Sequence, residues 1–153
     1  MRIVATVFII FLAGFSGQVA AQTAGSAQGA SQASDPAAAL VAKFGVGNNL
    51  ERMANSTAAL TETYHMLSSF KVTSEIHRLV PKYQPQWNAN LAKAYAAHLS
   101  PAELQSLVQL GGSSPYFSKL AQEQPAIGTD MKASSTSILK ALVAEALSNV
   151  AKQ

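Results

Sequence analysis

The chain contains no cysteine. This excludes a disulfide framework, a thiolate metal site and a cysteine nucleophile. A lipid-modified N-terminal cysteine is excluded for the same reason. Charge is also scarce. Only 12% of residues are Asp, Glu, Lys or Arg, about half of the roughly 25% found in average soluble domains. The formal net charge of +3 is small and dispersed, so no nucleic acid is expected as a partner. The histidines are His65, His77 and His98, with neither an H-x-x-x-H pair nor an H-E-x-x-H helix among them. No metal site is expected from that spacing. The acids are scattered too. Glu51 and Glu62 share one candidate helix, but helical rise places them roughly 16 Å apart, too far for a carboxylate pair.

Two glycine-containing segments invite a catalytic reading and do not support it. Gly111-Gly112-Ser113-Ser114 lacks the second glycine and the preceding strand of a nucleophile elbow. Gly45-Val46-Gly47 lacks the later glycine and the strand of a dinucleotide loop. Both read as turns. No catalytic residue and no cofactor is expected, and a non-enzymatic role is the consequence.

What is present begins with a targeting segment. Met1 and Arg2 form a short basic region, Ile3 to Phe15 is an uncharged apolar run, and Val19-Ala20-Ala21 is a small-residue cleavage site. This is the three-part plan of a secretory signal peptide, with cleavage expected after Ala21. The apolar run is shorter than the ~20 residues of a membrane-spanning helix, so no stable span is expected once it is removed. The expected location is the periplasm or the extracellular space. Residues 22–34 are almost entirely Ala, Gln, Ser and Gly. They offer no large apolar side chain to offset ordering entropy and read as a flexible leader.

Residues 35–153 read as a single helical domain. Asp35-Pro36 is an N-cap followed by proline in the first turn, and Gly45 supplies a stop. Leu50, Met53, Ala54, Leu60, Tyr64 and Leu67 predict a helix over 50–67 with one buried face. A further helix starts near Thr73, with Pro81 and Pro85 expected to break or kink it. Tyr83, Trp87, Leu91 and Tyr95 recur every four residues on the helix that follows. Ser100-Pro101-Ala102-Glu103 is a capping-box start, and Gly111-Gly112 ends that helix. Ser114-Pro115 begins another short helix, and Pro125 marks the next start. Ile127, Met131, Ser135, Ile138, Leu142 and Ala146 form one strip of the last and longest helix. No segment alternates with period two. The expected fold is all-α, a compact bundle of five to seven short and medium helices.

Residues 99–125 carry a resemblance. Leu99-Ser100-Pro101-Ala102-Glu103-Leu104, Ser114-Pro115, Lys119-Leu120 and Gln124-Pro125 resemble the bacterial secreted family called domain of unknown function 2059. The family's aromatic pair is absent, and Phe117 stands where the family has a glycine after Ser-Pro. The resemblance implies a helical protein of the cell envelope and assigns no catalytic residue.

The aromatic strip of Tyr83, Trp87 and Tyr95 is the most distinctive candidate. Such stripes usually face a core, but beside two prolines the strip also suits an apolar groove. Tyr116 and Phe117 can complete either arrangement. The expected function is contact with an envelope protein or with a second copy of the chain. The alternative is carriage of a small apolar or amphipathic ligand in a groove near Trp87.

Overall fold

A computed structural model describes residues 35–153. The expected signal peptide and leader lie outside the described residues. Six α-helices make up this region, and it contains no strand. They are α1 (Pro36–Phe44), α2 (Leu50–Ala58), α3 (Glu62–Met66), α4 (Ser69–His98), α5 (Pro101–Leu110) and α6 (Phe117–Ala151), with a single 3-10 turn at Gly111–Ser113. The all-α fold expected from the sequence is the observed one.

Local chemistry accounts for most of the boundaries. The Asp35 carboxylate accepts from the Ala37 amide at 3.0 Å, and Pro36 occupies the first turn of α1. Gly45 ends α1 with φ of 59°, a left-handed conformation that favours glycine. The next glycine, Gly47, has a different role. A Cβ there would lie 2.0 Å from Asn88 Oδ1, so the turn must be bare to approach α4. At the start of α5, Ser100 Oγ accepts from the Glu103 amide while a Glu103 carboxylate oxygen accepts from the Ser100 amide. This is the reciprocal cap the sequence predicts.

Three expected boundaries move. The helix expected over 50–67 is split at Ala59–Thr61 into α2 and α3. The residues before the split are poor helix formers, and two of them bond backward. Asn55 Nδ2 donates to the Glu51 carbonyl and Thr57 Oγ1 to the Met53 carbonyl. Thr61 then caps the restart, its hydroxyl accepting from the Tyr64 amide. In contrast, α4 runs unbroken through Pro81 and Pro85, and α6 unbroken through Pro125. All three prolines are exposed. Their missing N–H groups free the carbonyls of His77, Pro81 and Ala121, and these residues are exposed as well. Water can satisfy those carbonyls on the outer side, so the helices continue.

What holds α4 through its prolines is the inward face. On α4, Val72, Ile76, Leu79, Trp87, Leu91 and Tyr95 are buried. On α6 every residue of the expected strip is buried, joined by Val143, Leu147 and Val150. The two helices pack on each other, α2 lies against both, and α1 packs on α4 and α5. Among the fully buried large side chains, Leu40 comes from α1, Leu50 from α2, Ile76 from α4, Leu104 from α5 and Leu142 from α6. Burial of each such side chain contributes about 2 kcal/mol. By contrast, α3 buries nothing.

This packing gives a stability prediction. Leu142 is 0% exposed, so Leu142→Ala is expected to lower unfolding free energy by about 3 kcal/mol in urea. Leu110→Ala, at an exposed position, is expected to change it by less than about 0.5 kcal/mol.

Candidate functional site

The aromatic strip divides on folding. Trp87 is 5% exposed, and its indole N–H donates to Asn49 Oδ1 at 3.3 Å. The bond ties α4 to the residue that precedes α2. Tyr95 is 3% exposed, and burial pushes its phenol up from the ordinary value against an opposing hydrogen bond with Gln124. Leu91 lies between them in the same core. Tyr83 is half-buried and donates its hydroxyl to Glu145. That bond to a carboxylate raises the Tyr83 pKa above its usual value. Tyr116 and Phe117 sit elsewhere, exposed where the 3-10 turn leads into α6. Trp87 and Tyr95 therefore serve the core, and the two later aromatics are not brought to them.

An open groove of about 420 Å³ lies between α1 and α4. Ala38 and Ala42 form one wall, Pro85 and Ala89 the other, and Asp35 and Lys93 are also in its lining. Helical geometry sets these α4 residues on the side opposite Trp87. Small side chains make this groove, not the aromatic strip.

Polar side chains form a ladder between α4 and α6. Glu75 accepts from Arg78 at 2.9 and 2.5 Å and from Asn149 Nδ2 at 2.7 Å. Lys82 meets Glu145 at 2.7 and 2.8 Å, alongside the Tyr83 hydroxyl. Further on, Asn90 Nδ2 donates to the Ser134 carbonyl at 2.8 Å and contacts Ser135 Oγ at 3.1 Å. Ser135 is buried on the apolar strip, and this rung satisfies it. At the far end, His98 stands between Glu123, 3.2 Å from Nδ1, and Asp130, 2.8 Å from Nε2. As α4 numbers rise, their α6 partners fall, so the helices are antiparallel.

The ladder's ionisation follows from its partners. The Arg78 and Asn149 hydrogen bonds outweigh the partial burial of Glu75 and hold its carboxyl at about 2, against an ordinary 4.5. His98 is shifted the other way: the Asp130 hydrogen bond raises its pKa above the ordinary 6.5. Both ring nitrogens of His98 face carboxylates, an arrangement that favours the protonated ring. Elsewhere Glu103, a cap residue, also accepts from Lys119 at 2.8 Å. Glu51 pairs with His77 at 3.2 Å on exposed surface. Each of these acids faces a cation or a donor. Among the described residues no group of three or more His, Cys, Asp or Glu is arranged to hold a metal ion.

Exposed apolar side chains form the other candidate surfaces. At the α5–α6 corner, Leu110 is 54% exposed, and Tyr116 and Phe117 are 36% each. Phe44, 38% exposed, reaches this corner, its Cζ lying 3.9 Å from a Cβ built on Gly111. Leu60, Met66 and Phe70 stand out further. The periodicity assigns Leu60 to a buried face, but the break after α2 turns it outward. The Asn55-Ser56-Thr57 run and the Thr61 cap were the signals of that break.

No protein-family model, curated protein or solved structure matches this chain. Within residues 99–125, Ser100 and Glu103 are accounted for as caps.

The two ends of the ladder respond to pH with opposite sign. Glu75 has a lowered folded pKa, so its contribution is complete above about 4.5 and lost as pH falls toward about 2. Urea stability measured down this range is expected to fall, and Glu75→Gln is expected to flatten the fall. His98 has a raised folded pKa, so its contribution is present below 6.5 and lost as pH rises through the folded value. His98→Asn is expected to remove that alkaline component, read as a smaller stability difference between pH 6 and pH 9.

Proposed function

We propose that this protein is an exported, non-enzymatic helical module that works by binding a partner protein in the periplasm or outside the cell. The N-terminal pattern of Met1 to Ala21 supports export, and the likeness of residues 99–125 to a secreted family agrees with it. Among the described residues no helix is long and apolar enough to cross a membrane.

The observation that carries the binding role is the corner of Phe44, Leu110, Tyr116 and Phe117. Four large apolar side chains from three segments remain partly open to solvent there. Lone exposed apolar residues are ordinary, but a contiguous group marks a contact surface. Tyr and Phe are enriched in the centres of such surfaces. The backbone beneath is tied by hydrogen bonds. Ser114 Oγ is bonded to Ser106 Oγ at 2.9 Å and accepts from the Tyr116 amide. Lys43 Nζ donates to the Val108 carbonyl and joins α1 to α5 at the same place. A pre-ordered surface of this kind loses little side-chain and loop entropy on binding. Another envelope protein or a second copy of the chain can fill the role.

The ligand-carrier alternative draws less support from Trp87, which is packed and hydrogen-bonded in the core.

A photoreactive phenylalanine analogue at position 117 tests the reading in the exporting cell. Ultraviolet irradiation is expected to give a discrete protein adduct on a chain that begins at Gln22. The same group at exposed Gln105 is expected to give none. Absence of an adduct at 117, with the chain correctly exported, would overturn the binding role at this corner. A saturable change in Trp87 emission with apolar probes would favour the alternative.

A further inference from the structure

We propose that the α2–α3–α4 corner is a contact site for a phospholipid bilayer, inserting Leu60, Met66 and Phe70 among the headgroups. This does not rest on the protein-binding role of the α5–α6 corner. Leu60 is 87% exposed, Phe70 80% and Met66 77%. No other large apolar side chain of the described residues stands so far into solvent. All three come from one short stretch, where α2 ends, α3 makes just over a turn and α4 begins.

The corner contributes little to stability. A five-residue helix is far below the length that holds on its own in water, and α3 has no buried residue. Tyr64 and Leu67, half-buried against the core, hold it down. Nothing in this packing needs Leu60, Met66 or Phe70 to be apolar.

Size and backbone chemistry choose between occupants. Three side chains of this kind expose roughly 450 Å² together, against about 800 Å² per partner in a stable protein interface. Protein partners also exchange hydrogen bonds, about one per 100–200 Å², but the turn from α2 to α3, which carries Leu60, keeps its amides to itself, while the start of α4 has no side-chain cap. Ala59 donates to the Asn55 carbonyl, Leu60 to Thr57 and Thr61 to Ala58. The Thr61 hydroxyl donates to the Ala58 carbonyl as well. A turn whose own amides are satisfied is what an apolar medium tolerates. Charge points the same way: the first turn of α4 carries no acid. Lys71, beside Phe70, is exposed and is attracted to anionic headgroups. Glu62 is the acid on α3, at its first residue.

The lack of cysteine makes the test local. In the full chain, Met66→Cys gives one labelling site for an environment-sensitive nitrobenzoxadiazole dye. Vesicles of phosphatidylcholine with 30% phosphatidylglycerol are then added. The expected result is a blue shift with a rise of about twofold or more in emission, quenched by spin-labelled lipid. The same dye at Gln105→Cys is expected to stay unchanged, which separates corner insertion from attachment through the N-terminal apolar run. Leu60→Ser with Phe70→Ser is expected to abolish the Met66→Cys signal without altering helical circular dichroism. A water-exposed signal at position 66 on bound vesicles would overturn the proposal. So would a concentration-dependent blue shift without lipid that tracks dimerisation in sedimentation, which would assign the corner to a second copy. Either result leaves the cross-linking outcome at Phe117 untouched.

Discussion

The face that α4 and α6 bury against each other is the constraint on which the remaining structure depends. Each helix alone is compromised by proline, and an interior proline costs about 3 kcal/mol or more in helix stability. Neither sequence segment would be expected to run for 30 or 35 residues on propensity. In α4 the run continues because its inward stripe meets that of α6. Val72, Ile76 and Leu79 precede the prolines of α4 and Trp87, Leu91 and Tyr95 follow them. The stripe therefore spans the weak point and couples its two sides. Pro125 is different: it lies before the buried stripe of α6 begins at Ile127, so little packing is lost there. Once this pair is formed, α2 has a trough to fill and α1 has α4 to lie on.

The polar ladder sets how the two helices meet, and its role is mainly one of register. Exposed ion pairs contribute little to stability, commonly under about 1 kcal/mol. Apolar stripes slide more readily than paired groups do. Glu75 with Asn149, Tyr83 with Glu145, Asn90 with Ser135 and His98 with Asp130 hold four points along one antiparallel alignment. A shift of one turn would leave buried Ser135 without its side-chain donor Asn90 and would separate Glu75 from Asn149. In a chain with only eight Asp and Glu residues, Glu75, Glu145, Glu123, Asp130 and Glu103 each face a cation or a hydrogen-bond donor. The low charge noted in the sequence thus acquires a meaning: most of the acids are structural.

The apolar surface that remains is segregated. α4 and α6 are antiparallel, and α6 is about 52 Å long at helical rise. The Phe70 corner lies where α4 begins, and the Phe117 corner where α6 begins, so they sit at opposite ends of the pair. Their characters differ. One is a partly open, largely aromatic surface with hydrogen-bonded turns below it. The other is the α2–α3–α4 junction, with the far more exposed side chains of Leu60, Met66 and Phe70. The two proposed contacts, one with a protein and one with a bilayer, would thus lie at opposite ends of the α4–α6 pair.

Much of the fold was legible in the residues. Asp35-Pro36, Gly45, Ser100-Pro101 with Glu103, and Gly111 mark helix ends through local hydrogen bonds and backbone freedom, and each acts where it stands. The strip from Ile127 to Ala146 was readable for a similar reason: one face of a helix has a fixed period. The candidate site was less legible. Trp87 and Tyr95 carried the same pattern whether they faced a core or a groove, because periodicity reports a shared face and not what covers it. Leu60 was misread because the split at Ala59–Thr61 shifts the phase of everything after it. By itself, then, the sequence determined the helical class, the caps and the composition of each stripe, all of which depend on neighbours within a few residues. Only the tertiary structure decided that Pro81, Pro85 and Pro125 interrupt nothing, that Trp87 is sealed in, and that Leu60, Met66 and Phe70 are left outside. Those outcomes turn on which distant helix offers a complementary face, and no local interaction encodes that.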